Sequence, residues 1–345
     1  MSDDPLDLWR PPARLQAWYR VCGSRELARG RVLRWDLPGR SFAVWRGRED
    51  GRVHAVVAHC AHMGTHLAFG TVVGDGLRCP LHHWEWGGDG ACRAVPGASP
   101  AGLRQRAFPV AEVEGSVFLF NGPVPRHPPP QLGDDGDFVA LAGAPVRLRC
   151  PWVAVACNGF DMQHMRTVHG RELRSEPVFE RLDAWRLRMR LESRVTGRGF
   201  EDKAIQWLSR DSVRLTVTCS GGMAVAVESD LGRVRSALLL CLRPVIAGGE
   251  GVEVTPVFGV PAGPLAGLRV RAARALFSGF IRKDVAFMDD MRFHPSTAGP
   301  SDPVLQTFLQ YLRELPLDED NEDGERADNP AAAGLPPLTR RGGFA

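Results

Sequence analysis

The chain has 345 residues, 43 basic against 40 acidic, for a formal charge of +3. A balance this close to neutral excludes the dense cationic surface of a nucleic-acid binder, and the length suggests two domains or one large one. No run of eighteen apolar residues occurs that would span a bilayer; the best candidate, 236–246, is short and carries Arg243. Lysine appears only at Lys203 and Lys283, and together with the Ala, Gly and Pro content this looks like the codon bias of a GC-rich bacterial genome, so the arginines are not by their number expected to mark a binding patch. The Met-Ser-Asp-Asp opening is acidic, unlike a signal peptide, which points to the cytoplasm of a bacterium. In that reducing compartment the eight cysteines are expected to bind metal or to serve as small buried apolar residues.

In chain order, Trp18 to Val21, Val32 to Leu37, Phe42 to Trp45 and Val53 to Ala58 alternate apolar and polar residues and predict short strands, separated by turns such as Pro38-Gly39. Gly74-Asp75-Gly76 predicts a tight hairpin, and Ser116 to Phe120 a closing strand. These segments make a small all-β module. Its hairpins carry Cys60-Ala-His62 and, after sixteen intervening residues, Cys79-Pro-Leu-His82. Two thiolates and two imidazoles could hold structural zinc. They could equally hold a Rieske [2Fe–2S] cluster, in which two Cys take one iron and two His the other. Zinc fingers favour a Cys pair followed by a His pair, whereas here each loop offers one of each, which is the Rieske arrangement. His59, His66 and His83 read as packing or surface residues, His54 carries no signal, and Cys92 lies outside both loops.

The Pro- and Gly-rich segment 121–137 reads as a linker. Beyond it, Asn158-Gly-Phe-Asp161-Met-Gln-His164-Met-Arg-Thr-Val-His169 predicts a helix. Two imidazoles and a carboxylate are the facial-triad recipe for a non-haem Fe(II); the alternative is a capped helix with two satisfied histidines. Asp161 and His164 share a face, while His169 lies about 140° round from His164, so convergence requires the helix to loosen at Thr167-Val168 and Gly170. Strands are predicted at 185–192, 206–209, 213–219, 223–228, 236–242 and 252–260, with turns at Ser220-Gly-Gly and Gly248-Gly249. Ala266 to Phe293 reads as the last long helix, its apolar stripe being Leu268, Ala272, Leu276, Phe280, Phe287 and Met291. Asp284 falls on that stripe, and a carboxylate on a buried face is costly unless paired or metal-bound, with Arg282 or Lys283 as the mundane partners. Asp161 is placed to accept the proton of the His164 ring nitrogen that does not bind metal. From about Asp318 the chain is acidic and then Pro- and Ala-rich, and reads as a disordered tail.

The two motifs together, Cys60-x-His62-x16-Cys79-x2-His82 and Asn158-x2-Asp161-x2-His164-x4-His169, resemble the oxygenase component of Rieske non-haem iron oxygenases over residues ~17 to ~313. The resemblance implies an α+β chain: a Rieske domain at 17–125, a linker at 126–139 and a helix-grip catalytic domain at 140–313, between a lead at 1–16 and the tail at 314–345. It implies that Cys60 and Cys79 ligate the inner iron of the cluster and His62 and His82 the outer one. It implies a mononuclear Fe(II) on His164, His169 and Asp284, and Asp161 as the electron bridge to the Rieske His of a neighbouring subunit. Asn158 then sits behind the ligands. A head-to-tail trimer, O2 and a separate ferredoxin- or flavin-type reductase that oxidises NAD(P)H complete the implied system, consistent with the lack of any Rossmann fingerprint here. His62-Met-Gly-Thr-His-Leu, Trp84-Glu-Trp-Gly-Gly-Asp-Gly-Ala-Cys and Val95-Pro look like the branch that includes 3-ketosteroid 9α-hydroxylases, cholesterol 7-desaturases and bacterial sterol C-4 methyl oxidases. That branch implies monooxygenation of a sterol or steroid. A hydroxylase of another hydrophobic substrate, a pure electron carrier and a sterol-binding regulator are the other readings.

Overall fold

A computed structural model describes residues 15–316 except 135, 211, 246–250 and 295–301. The tail expected from about Asp318 and the Gly248-Gly249 turn lie outside the described residues. The described chain forms two compact units, a smaller one from residues 27–36 and 41–108 and a larger one from the remainder.

The N-terminal strands are β1 (Trp18–Gly23), β2 (Val32–Leu37), β3 (Arg40–Arg46) and β4 (Val53–Val57), followed by β5 (Thr71–Val73), β6 (Gly76–Arg78), β7 (Glu85–Trp86) and β8 (Cys92–Ala94). β2 to β8 make two small sheets, β2-β3-β4 and β5-β6-β7-β8, with the predicted hairpin closing Val73 on Gly76. Ala43, Trp45, Val56, Leu67, Val72, Leu77 and Trp86 fill the core of the smaller unit, and Cys60, Cys79 and Cys92 are part of that core.

In the larger unit, β9 (Val110–Val113) and β10 (Ser116–Phe120) form a hairpin that pairs with β1 in the order β1-β10-β9. Its Glu114-Gly115 turn has φ 49 and 72, two left-handed residues matched to strand twist. Trp18, Phe118 and Phe120 pack with Leu132 onto Ala226, Leu239 and Val257 of a second, larger sheet. That sheet is antiparallel and nine-stranded. It contains β11 (Phe138–Ala142), β12 (Val146–Leu148), β13 (Arg171–Leu173), β14 (Val178–Arg181), β15 (Arg186–Val195), β16 (Val213–Ser220), β17 (Ala224–Asp230), β18 (Arg235–Pro244) and β19 (Val252–Pro261). The helices are α1 (Trp152–Asn158), α2 (Met162–Thr167), α3 (Phe200–Ser209), α4 (Ala266–Met288) and α5 (Pro303–Arg313). The architecture is the expected α+β class: mostly antiparallel sheets, with a long helix laid on the larger one.

Four expectations change. The helix expected across 158–169 is two helices, because Gly159 ends α1 and Asp161 caps α2. The strand expected at 206–209 is the end of α3. Asp202, Ile205 and Ser209 are its buried residues, a helical spacing that a four-residue window cannot show. The helix expected to run to Phe293 stops at Met288, and α5 follows it. The α4 stripe is also rotated. Ala266, Val270, Ala273, Phe277 and Ile281 face Phe258, Val260, Val139 and Leu141 of the sheet, while Leu268 and Phe287 are exposed. The inward residues are small in the first turns, Ala266, Val270 and Ala273, and large further on, Phe277 and Ile281.

Glu114 accepts the backbone N–H of Leu132 at 3.1 Å, and burial pushes its carboxyl up from 4.5 to about 7. Its folded pKa exceeds the unfolded one, so the stability linked to its protonated form is complete below about pH 4.5 and is lost as pH rises through about 7. Glu114→Gln should therefore exceed the wild type in denaturant stability at pH 8 by about 1–2 kcal/mol, after allowance for the carboxyl's partial exposure. The difference should vanish near pH 4, and a pH-independent difference would assign the effect to packing.

Candidate metal centres

In the smaller unit the two loops use the same backbone device. Gly64 donates its N–H to the Cys60 carbonyl at 2.8 Å, and His83 donates to that of Cys79 at 3.1 Å. His83 reaches this position with φ 59 and is exposed, in keeping with its reading as a surface residue. Cys60 and Cys79 are buried, whereas His82 is exposed and His62 half-buried. The His62 and His82 rings lie 4.7 Å apart, and His62 stacks on Trp84 at 4.2 Å. Burial, with the Cys79 thiol adding to it, pushes the Cys60 thiol up to about 11 despite the His62 backbone N–H. Such a thiol ionises only when a metal displaces its proton. The donors thus divide into an inner sulfur pair and an outer nitrogen pair, which fits a [2Fe–2S] group with two unlike irons better than one tetrahedral ion.

Gln105 holds this site and carried no sequence signal. Its side chain is buried, accepts the Ala61 N–H at 2.8 Å, and donates to the carbonyls of Val57 and His59 at 2.9 and 2.7 Å. One amide thereby fixes the backbone on both sides of Cys60.

In the larger unit, His164, His169 and Asp284 come together, with donor atoms all within 4.8 Å of one another. His164 Nε2 lies 3.0 Å from His169 Nε2 and 3.1 Å from Asp284 Oδ1, and His169 Nε2 lies 2.8 Å from the same oxygen. The route to this convergence is local. α2 ends at Thr167, and Gly170, at φ 56, turns the chain toward β13. A Cβ on Gly170 would stand 2.7 Å from the Gly197 backbone, so the turn carrying His169 admits no side chain there. Asp284 comes from the C-terminal half of α4. Burial would raise its pKa, but hydrogen bonds from His164 and His169 outweigh this and hold it below the usual carboxylate range. Ligands bonded at about 2.1 Å and at right angles stand about 3 Å apart, so the spacing suits a facial metal site.

Around the triad the sequence reading needs amendment. Asp161 caps α2, its Oδ1 accepting the His164 backbone N–H at 2.8 Å rather than the ring proton assigned to it, because an N-cap side chain is aimed at the third residue's amide. Asn158 ends α1 and makes no side-chain hydrogen bond to the three donors among the described residues. Asp289 pairs with Arg149 at 2.9 Å, away from the triad. Unforeseen was Arg171, buried against Asp202 at 3.4 Å with its guanidinium 5.4 Å from the Phe280 ring centroid. Phe280 in turn lies 5.4 Å from the His169 ring. His169 Nδ1 is buried without a hydrogen-bond partner.

Residues 17–114 match the family model of the Rieske [2Fe-2S] domain. The aminopyrrolnitrin oxygenase PrnD of Pseudomonas fluorescens is 30% identical over 277 residues, covering 71% of this chain and 75% of that protein. The chain belongs to the Rieske non-haem iron oxygenases. A Rhodococcus rhodochrous protein named "Probable 3-ketosteroid-9-alpha-monooxygenase, oxygenase component" is 34% identical over 181 residues, 48% of this chain. The chain spans only 44% of that relative's length. Dicamba monooxygenase bound to dicamba superposes with a TM-score of 0.64 over 91% of this chain and 98% of the other, at 17% identity, which is a likeness of fold. Membership agrees with the donor sets: the cofactors of this Rieske oxygenase are a [2Fe–2S] cluster and a mononuclear iron.

Asp284→Ala should lose the iron that is not bound to sulfide while the cluster's visible spectrum and labile sulfide stay at wild-type levels. Full retention of that iron, measured by metal analysis, would remove Asp284 from the ligand set.

Proposed function

We propose that this chain is the oxygenase component of a multicomponent monooxygenase that oxidises a bulky polycyclic lipid, a sterol or steroid, with oxidation of a sterol C-4 methyl group as the favoured reaction. The observation that carries the oxygenase half of this reading is the convergence of His164, His169 and Asp284 in a chain that also carries the Cys60-His62 and Cys79-His82 loops. A pure electron carrier has no use for the second donor set. When bound, the mononuclear iron supplies oxygen activation and the cluster supplies the electrons for it. The work of the chain's own residues is positional. Cys60 and Cys79 would hold the inner iron and His62 and His82 the outer, where an exposed imidazole can exchange a proton as the charge changes. Asp161 fixes the start of α2 and so the direction of His164, and it is the residue we assign to relay electrons from a neighbouring subunit's Rieske His. Asn158 would support it from the end of α1. Arg171 and Phe280 hold the His169 ring. In this reading the domains are 17–125 and 140–313, the assembly is a trimer, the location is the bacterial cytoplasm, and NAD(P)H is oxidised by a separate reductase.

The lipid substrate rests on the ketosteroid relative, aligned over 48% of this chain, and on the Trp84-to-Val95 segment, which lies in the electron-transfer half. The PrnD alignment is the longer and reaches into the catalytic half, which favours a second reading: a smaller, non-steroid hydrophobic substrate.

The test is mass spectrometry of products from iron-loaded protein given a ferredoxin reductase, NADH and a panel of sterols, ketosteroids and arylamines. An oxygenated sterol that disappears without O2 is the expected product, and an oxygenated arylamine alone would replace it with the second reading. Asp161→Asn should keep both metals yet slow substrate-dependent oxidation of the reduced cluster by at least about a hundredfold, the scale on which lost positioning acts. Wild-type oxidation in stopped flow would end the relay assignment.

A further inference from the structure

One corner of the larger unit departs from local backbone preferences in a way that exposes apolar side chains. From the last residue of β19 into the first turn of α4 the chain reads Pro261-Ala-Gly-Pro-Leu265-Ala-Gly-Leu268, eight residues without a polar side chain. Leu265 is 74% exposed and Leu268 63%. Leu265 is the N-cap of α4 at φ 56 and ψ 21, with no side-chain cap hydrogen bond. Gly or Asn ordinarily occupies that left-handed conformation, and Ser, Asp or Asn that cap. A leucine there forgoes both preferences, and such departures gather at functional positions. The next two turns bring Arg269, Arg271 and Arg274, and no acidic residue occurs between Glu253 and Asp284. Among the described residues none of these three arginines pairs with a carboxylate.

We propose that this corner docks the protein on an anionic phospholipid bilayer, with Leu265 and Leu268 entering the acyl boundary and Arg269, Arg271 and Arg274 meeting the lipid phosphates. An apolar tip with a cationic collar is the composition of an interfacial anchor. A second copy meeting the corner with the same corner suits it poorly, since two cationic collars would face each other; a copy meeting it with another surface would show as a change of oligomer size in the test below. Its purpose rests on the lipid-substrate reading above: a polycyclic lipid partitions into such bilayers, and docking brings the chain to the phase that holds it.

The test is flotation of the full, metal-loaded chain with vesicles of phosphatidylcholine alone or mixed with phosphatidylglycerol, alongside sedimentation velocity. Binding is expected to the mixed vesicles only and to weaken as salt rises. The double change Arg271→Glu with Arg274→Glu should lower partitioning at least about thirtyfold, counting each arginine's attraction to an anionic surface. Leu265→Asn separates anchoring from folding, because asparagine suits both the cap and the left-handed backbone: it should raise thermal stability while weakening flotation. The proposal is overturned if the wild type does not float, if both variants float unchanged, or if the arginine variant alters the oligomer size instead, which would mean that another copy covers the corner. Flotation needs neither substrate nor turnover, so failure here leaves the sterol reading standing, and an empty product screen leaves the docking result standing.

Discussion

Three donor atoms on two segments 120 residues apart are held about 3 Å from one another, and much of the larger unit can be understood as what keeps them there. If both ring nitrogens carried protons toward the one carboxylate oxygen, two N–H groups would be crowded together. If either were bare, lone pairs would converge instead. A cation at the centre removes both difficulties. The sheet offers α4 an apolar bed, and the inner face of α4, down to Phe277 and Ile281, packs on it and so fixes where Asp284 stands. The break at Gly159-Phe160 and the left-handed Gly170 bend the other segment to meet it. Phe160, fully buried and stacked on Phe308 of α5 at 3.9 Å, fixes the break itself.

The smaller unit solves a different electrostatic problem with similar economy. Its thiols lie within the apolar core, where charge is costly, and its imidazoles nearer the surface, His82 exposed and His62 half-buried. A cluster held by these four donors would have its two ends in different dielectric surroundings, and the loops need only short backbone bonds to hold that division.

Most of this was legible in the sequence because it is written in residue types at short spacing. Strands with clean alternation, the Gly-Asp-Gly hairpin and both metal motifs needed no tertiary information. The convergence of Asp284 with the two histidines was also legible, but the stripe used to pick it was rotated: Leu268 and Phe287 of that stripe are exposed, and Ala266, Val270, Ala273, Phe277 and Ile281 face the sheet. Asp284 lies beside both. What could not be read was anything decided across the fold. Gln105 and Arg171 act on partners 44 and 31 residues away, and an isolated Gln or Arg carries no periodic signature. The α3 helix was missed because its buried residues are spaced wider than the segment taken as a strand.

The Gln105 amide bears on the order of events during biogenesis. A ribosome that has delivered both cysteine loops has not yet delivered the side chain that sets the backbone on either side of Cys60. Iron–sulfur assembly machinery meeting the nascent chain at that stage would find ligands in sequence but not in place. A site that needs the Cys60 loop in its final shape is therefore complete only once Gln105 has been made and has folded against it.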